Sequence, residues 1–266
     1  MPYASTLDDS IADTNGFYRR TLHVLSEARV PFLCGGSHAF LHYTGIARDT
    51  KDLDLFVREE DLDDALQALA DAGYRTERTF AHWLAKAYKA DDFVDLVHNS
   101  GNGVARVDAG WFDHSVEAQV LGMPVRLAAA EELIWQKAFV MDRERFDGAD
   151  IVHLILRCGR NLDWNRLVAR FGDHWRLLVV YVALFGFVYP GVKGPIPDDL
   201  LRSLYERAAG AEPPGEEPVC RGTLVSRAQY LVDIGRWGFR DARIAPYGMM
   251  TPEEAVYWTW AIDHVK

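Results

Sequence analysis

A glycine turn followed by a strand with two aspartates is the feature that most constrains the fold of this 266-residue chain. An apolar strand ending at Cys34 leads into the turn 35–37, a short helix, and a second strand that carries Asp52 and Asp54. Successive side chains of a strand point to opposite faces, so these two carboxylates are expected to share one face of a sheet. Neighbouring carboxylates repel each other unless a cation lies between them, and Mg²⁺ prefers oxygen ligands of this kind. The pattern therefore predicts a magnesium site.

The glycine turn predicts a phosphate-binding loop beside that site. Glycine lets the backbone approach a ligand closely, and the N–H groups at the start of a helix point at an anion. Gly35, Gly36 and Ser37 are therefore candidate contacts for the phosphates of a nucleotide. The alternative is a plain tight turn in which Ser37 serves as the N-cap of the next helix. Arg48 and Lys51, close to the aspartates in sequence, either bind the triphosphate or neutralise the acidic strand.

The composition indicates a soluble globular protein in a reducing compartment. The chain is 49% hydrophobic and 26% charged, which is enough apolar material for a sizeable core. Three widely spaced cysteines fit free thiols of a cytoplasmic protein better than a disulfide framework. The first residues lack the pattern of a signal peptide, and the longest apolar run, Leu177 to Tyr189, is too short to span a bilayer. We therefore expect a cytoplasmic protein with no membrane partner.

The charge distribution limits the macromolecular partners. Residues 1–160 carry 17 Lys and Arg against 26 Asp and Glu, whereas residues 161–266 carry 12 against 13. Sequence-independent binding of long duplex nucleic acid depends on a basic surface, so the first part argues against it. A nucleotide held through Mg²⁺ is compatible with the same charge. Between Arg221 and Arg243 lie five arginines and two acids, which form either a salt-bridged solvated face or a contact for an RNA end.

The hydrophobic pattern predicts an α+β chain: a mixed β-sheet core with flanking helices, followed by a mostly helical C-terminal domain. We place the boundary at residue 160, which gives domains 1–160 and 161–266. Residues 83–89 fit a strand, and the slightly longer segment 81–90 also fits a helix. Four further strands are predicted over 32–34, 52–57, 74–80 and 91–98, with a hairpin over 116–127. Helices are predicted over 11–29 and 38–43, from 58 to Gly73, from 128, from 143, and over 163–171, 173–188, 197–208, 224–235 and 252–265.

The order Gly-Gly-Ser, short helix, then Arg48-x-Thr-Lys-Asp-x-Asp-Leu55 resembles the signature of the polymerase-β-like nucleotidyltransferase superfamily. The resemblance covers about residues 20–157 and is strongest to small bacterial members, namely antibiotic nucleotidyltransferases and toxins of the abortive-infection type. It implies that residues 1–160 form the catalytic domain of a nucleotidyltransferase. Such an enzyme moves a nucleoside monophosphate from a nucleoside triphosphate (NTP) to an acceptor hydroxyl and releases pyrophosphate.

The resemblance also implies further site residues. A third carboxylate comes from a later strand in this superfamily, and Asp95 is the best match, with Asp108 as the fallback. Asp52, Asp54 and Asp95 are then the catalytic and metal-binding residues, and together they imply two Mg²⁺ ions. Asp95 either helps to hold the second ion or acts as the base for the acceptor hydroxyl. Lys137, followed by Asp147 and Asp150 in the next helix, is similar to a segment of the toxin-like members and is a candidate nucleotide contact. Ion pairs between packed helices explain this pattern equally well.

Two classes of acceptor are compatible with the sequence, and the pattern of Lys137, Asp147 and Asp150 slightly favours the toxin-like members. The toxin-like members imply a tRNA end, contacted by the helical domain, and allow for an antitoxin partner. An acidic surface suits a cationic small molecule such as an aminoglycoside, and a lincosamide is a further candidate. A non-catalytic nucleotide-binding scaffold of the same fold is the alternative from a different functional class.

Overall fold

The computed structural model describes residues 3–48, 52–210 and 217–264, and the chain divides into two compact units. The first unit consists of Met1–Leu41, Ala47–Gly101 and Arg106–Ala129. The second consists of His42–Ile46, Asn102–Ala105 and Ala130–Lys266.

Within the described residues, the first unit is built on a mixed sheet of seven strands. The strands are β1 (Leu33–Cys34), β2 (Asp54–Phe56), β3 (Arg75–Phe80), β4 (Leu84–Lys89), β5 (Asp92–Val97), β6 (Val116–Val120) and β7 (Met123–Leu127). Their order is β3-β4-β5-β2-β1-β7-β6. In this order the short strands β1 and β2 lie in the middle of the sheet. The pairs β2–β5 and β1–β7 are parallel, and the other pairs are antiparallel.

Helices α1 (Tyr3–Glu27), α3 (Leu62–Asp71) and α4 (Ala109–Asp113) belong to the first unit, and α2 (Gly36–Thr44) begins there. Helix α3 buries Leu62, Ala65 and Leu69, which recur at the spacing of one helical face. Helix α1 packs against α3 and β5. This packing matters for the site because it brings one face of α1 towards the sheet.

The second unit is mostly helical. Its helices are α5 (Ala130–Lys137), α6 (Gly148–Cys158), α7 (Trp164–Phe171), α8 (Trp175–Val188), α9 (Asp198–Ala209), α10 (Leu231–Gly235) and α11 (Pro252–His264). Two short strands, β8 (Val219–Cys220) and β9 (Arg240–Asp241), form a parallel pair that was not predicted.

Helices α5 and α6 belong to the second unit, although we grouped them with residues 1–160 from the sequence. The reason is their packing on α7 and α8. Glu132 of α5 is fully buried and accepts hydrogen bonds from Arg166 and Arg170 of α7, which compensates its charge. The functional division at residue 160, with a catalytic part before it and an acceptor part after it, stays a prediction.

The predicted fold class is confirmed, and the local errors have simple causes. The predicted strand over 83–89 is confirmed as Leu84–Lys89, and the helical alternative for 81–90 is wrong because this strand pairs on both sides within the sheet. The predicted helix over 224–235 is a 3₁₀ turn, Gly222–Leu224, followed later by the short α10. Ser37 is not an N-cap residue, because helix α2 already begins at Gly36.

Segment Trp164–Val188 is, within the described residues, long and apolar enough to cross a membrane by length and composition. It is interrupted by the 3₁₀ turn Gly172–His174. Trp175, Leu178 and Tyr181 of α8 are buried in the protein. Core helices of soluble proteins meet the same criterion, so this segment is weak evidence for a membrane span.

Candidate active site

Three aspartates meet at the centre of the sheet. Asp52 lies just before β2, Asp54 is the first residue of β2, and Asp95 lies in β5. One carboxylate oxygen from each of the three lies within 4.8 Å of the corresponding atoms of the other two. All three side chains are half-buried. The sequence placed Asp52 inside the strand, whereas the structure starts the strand at Asp54.

The pairing of β2 with β5 explains this convergence. Asp54 and Asp95 are partners in the parallel register, and neighbouring partners in a sheet present their side chains on the same face. The Asp95 N–H donates a hydrogen bond to the Leu53 carbonyl at 3.0 Å, which fixes that register. Leu53 and Leu55 are fully buried, so alternation directs Asp52 and Asp54 away from the core that these leucines occupy.

The glycine turn lies directly against Asp54. The Gly35 N–H donates to the Asp54 carbonyl at 2.9 Å. Gly36 has φ +51°, and a Cβ added there would overlap Oδ2 of Asp54. A Cβ on Gly35 would overlap the ring of Phe56. Both positions therefore need glycine, and the start of α2 is held beside the carboxylates as the sequence predicts.

Lys86 is a component of the site that the sequence analysis missed. Its Nζ lies 2.7 Å from Oδ1 of Asp95, and the side chains of the lysine and the aspartate are 18% and 13% exposed. The same Nζ lies 4.2 Å from the centre of the Phe93 ring. Burial raises the pKa of Asp95, the Lys86 ammonium opposes that rise, and Asp52 adds to it. Only the register of β4 against β5, in which Lys86 is the partner of Asp95, reveals this contact.

Two further polar groups face the acids. Tyr18 of α1 is 2% exposed, and its hydroxyl has no hydrogen-bond partner among the described residues. Burial raises the pKa of Tyr18 to about 12, and the nearby carboxylates, with Asp52 first, add to the rise. Burial lowers the pKa of His38 while Asp52 opposes the change, and the buried Nε2 of His38 likewise has no partner within the described residues. The sequence analysis missed Tyr18, because a tyrosine on the buried face of a helix is common and does not by itself indicate a functional site.

The other predicted residues are placed as follows. Arg48 lies with its guanidinium 4.5 Å from the centre of the Phe40 ring, and Lys51 lies outside the described residues. Asp108, the second candidate for the third carboxylate, is the N-cap of α4 and accepts a hydrogen bond from the Trp111 N–H. The third carboxylate of the cluster is therefore Asp95.

Lys137, a candidate nucleotide contact, forms the ion pairs between packed helices that the sequence analysis gave as the alternative. In the second unit its Nζ lies 3.0 Å from Oδ2 of Asp147 and 2.8 Å from Oδ2 of Asp150. Whether Lys137 also binds a nucleotide stays a prediction based on the resemblance.

The donor set of the aspartate cluster fits a hard divalent cation. The cluster of Asp52, Asp54 and Asp95 offers carboxylate oxygens alone, the ligands that Mg²⁺ and Mn²⁺ prefer. Partial burial makes their mutual repulsion costly, and a cation between them relieves it. Carboxylate oxygens also bind Ca²⁺, so the donor set fits hard divalent cations as a class.

Several solved structures resemble this chain at low identity. The solution structure of the antibiotic-resistance factor ANT(2'')-Ia is 18% identical, with a TM-score of 0.45, and the match covers 65% of this chain and 98% of that one. The lincomycin-bound crystal structure of the lincosamide antibiotic adenylyltransferase LnuA is 17% identical, with a TM-score of 0.38, and the match covers 53% and 94%. JHP933 from Helicobacter pylori is 13% identical, with a TM-score of 0.37, and the match covers 74% and 94%.

The sequence itself matches one protein-family model. A comparison with curated proteins finds no match. The family model that matches is described as an uncharacterised nucleotidyltransferase, and the match spans residues 24–184, which is more than half of the chain. This span includes the glycine turn and all three clustered aspartates. The chain therefore belongs to this nucleotidyltransferase family.

Proposed function

We propose that this enzyme transfers a nucleoside monophosphate from an NTP to a hydroxyl group of an acceptor and releases pyrophosphate. The observation that carries the proposal is the convergence of Asp52, Asp54 and Asp95 beside the Gly36 turn. Mg²⁺ bound by these carboxylates would neutralise charge on the triphosphate and polarise the phosphorus that is attacked. Phosphoryl transfer depends mostly on such positioning and electrostatic stabilisation.

The residues of the chain have distinct proposed roles. Asp52 and Asp54 hold the divalent ion, and Asp95 completes the cluster. The backbone N–H groups of Gly36 and Ser37 bind the departing pyrophosphate at the start of α2.

Three basic residues are proposed to add positive charge around the phosphates. Arg48 and Lys51 lie next to the aspartates in sequence, and Lys137 is included on the strength of the resemblance alone.

We propose a cationic small molecule as the acceptor. The arginines between 221 and 243 would have to face RNA if a tRNA end were the acceptor, but three of them are engaged by carboxylates. Arg240 lies 3.0 Å from Glu217, and Arg243 lies 2.7 Å from Asp241 and is 2% exposed. Arg227 lies 3.8 Å from Asp142. This supports the salt-bridged interpretation of the segment, and the acidic charge of residues 1–160 favours a cation.

A labelling experiment tests the proposal. The protein is incubated with each α-labelled NTP and Mg²⁺, together with a panel of aminoglycosides and lincosamides or with total tRNA. We expect label in a cationic small molecule, dependent on Mg²⁺ and absent with Asp54→Asn. The matched control is Asp63→Asn, because the Asp63 side chain is 85% exposed and forms a surface ion pair with Arg78.

The other outcomes contradict separate parts of the proposal. Label in tRNA contradicts the proposed acceptor and makes an antitoxin partner worth a search. Nucleotide binding without any transfer contradicts the catalytic role and supports a scaffold.

The free thiols of Cys34, Cys158 and Cys220 support the proposed cytoplasmic location, because reduced cysteines are typical of that compartment.

A further inference from the structure

We propose that Lys86 takes the place of a second divalent ion, so that the cluster of Asp52, Asp54 and Asp95 binds one ion and not two. This inference rests on the proposed function, because it assumes that the cluster is a metal site. The resemblance to the superfamily had implied two ions.

The first argument is the contact itself. Lys86 Nζ donates a hydrogen bond to Oδ1 of Asp95 at 2.7 Å, and both side chains are mostly buried. The two residues are register partners on β4 and β5, so the contact is set by the sheet. The Phe93 ring lies on the other side of the ammonium at 4.2 Å and restricts its movement further. One oxygen of Asp95 is thereby occupied by a fixed positive charge, and one oxygen is left for a metal ion.

The second argument is the charge of the cluster. Three carboxylates carry three negative charges, and the ammonium of Lys86 cancels one of them. The fixed ammonium lies against one of the three converging carboxylates, so it repels a further divalent ion at the cluster, and burial of the pair limits the screening of that repulsion by water.

The inference changes the role of Asp95. A carboxylate that is paired with an ammonium is a poorer ligand for a further cation than a free one. Asp95 then serves to hold Lys86 at the cluster, and the lysine supplies the positive charge that a second ion would supply.

Counting bound Mn²⁺ in the absence of nucleotide tests this directly, because bound Mn²⁺ loses the electron paramagnetic resonance signal of the free ion. We expect one Mn²⁺ per wild-type chain and two per Lys86→Met chain. We also expect the first ion to bind about tenfold or more tightly in Lys86→Met, because a neighbouring positive charge has been removed.

Two control variants keep the Lys86 charge or leave the site unchanged. Lys86→Arg keeps the charge and should bind one ion. Lys89→Met is the matched control from the same strand, since Lys89 contacts the Tyr74 ring, and should also bind one.

A second pair of variants covers the case in which Lys86→Met does not fold because Asp95 loses its partner. Asp95→Asn removes that carboxylate charge, and Asp95→Asn with Lys86→Met removes both. We expect the double variant to bind Mn²⁺ about tenfold or more tightly than Asp95→Asn. Equal affinity in this pair overturns the inference, as does a wild-type chain that binds two ions at the cluster. If Mn²⁺ binding by the wild type is lost in Asp54→Asn but unaffected by loss of Lys86, only this inference fails. If the wild type binds no Mn²⁺, the proposed function fails with it.

Discussion

Asp54 and Asp95 are register partners on the parallel strands β2 and β5, which places two carboxylates that are distant in sequence side by side on one face of the sheet. Asp52 joins them from just outside the strand. Lys86 compensates Asp95, but placing three carboxylates together still costs stability, so the arrangement is better explained by cation binding than by folding.

Replacing Asp54 tests the cluster most simply. Loss of a group that only orients a metal ligand costs about 10- to 100-fold in metal affinity or activity. Asp54 is proposed to be a ligand itself, so Asp54→Asn should reduce transfer by about 100-fold or more. The free energy of unfolding should stay unchanged or rise, because one repulsive charge is lost. Activity assays and urea denaturation of the same preparation measure both quantities. Full transfer by Asp54→Asn would show that this carboxylate is not a metal ligand.

The two glycine substitutions Gly36→Ala and Gly122→Ala separate backbone strain from contact with the site. Both residues have positive φ, +51° and +78°, so alanine at either costs about 1 kcal/mol or more of stability. At Gly122, in the turn of the hairpin, nothing lies within 4 Å of the added Cβ, and transfer should be unchanged. At Gly36 the Cβ overlaps the Asp54 carboxylate, so transfer should be lost. Normal transfer by Gly36→Ala would mean that the turn can move without disturbing Asp54.

The buried hydroxyl of Tyr18 should contribute nothing to stability in the absence of ligand. It has no hydrogen-bond partner among the described residues, and a buried donor without a partner is unfavourable. We expect Tyr18→Phe to leave the free energy of unfolding unchanged or to raise it by about 1 kcal/mol. Denaturation of the two proteins without nucleotide or metal measures the difference. A loss of stability would indicate that the hydroxyl is hydrogen-bonded in the folded chain.

His98 should make the fold sensitive to acid. Burial lowers the pKa of His98 from 6.5 to about 4, so the unfolded chain binds more protons than the folded chain between these values. Stability from this residue is complete above about pH 6.5 and decreases as the pH falls towards 4, by up to about 3 kcal/mol. In His98→Gln, the slope of unfolding free energy against pH should be smaller in this interval. An identical slope in both proteins would contradict the proposed burial of a neutral imidazole.

Much of the first unit follows from local sequence signals. The hairpin over 116–127 and the glycine turn before α2 were both visible from glycines between apolar segments. The structure joins the hairpin strands through Leu121 and Gly122 alone, because Met123 already pairs with Val120. The expected convergence of Asp52 with Asp54 needed only the alternation of a strand, although the strand begins two residues later than predicted.

The parts that could not be predicted depend on contacts between distant residues. Lys86 looked like one of several charged residues in an ambiguous segment, and only its register against Asp95 makes it part of the site. The second unit was harder, because the arginine-rich segment forms short strands and turns. Arg240, for example, pairs with Glu217, and local periodicity cannot predict a contact between residues so far apart in sequence.

The central claim is that Asp52 and Asp54 bind a divalent ion next to phosphates held at Gly36. The most direct test is a crystal structure with Mn²⁺ and a non-hydrolysable NTP analogue, in which anomalous scattering locates the ion independently of any model of the site. We predict an anomalous peak at about 2 Å from carboxylate oxygens of both aspartates, with the triphosphate against the backbone of the glycine turn. A peak elsewhere, or a triphosphate bound away from that turn, would contradict the account.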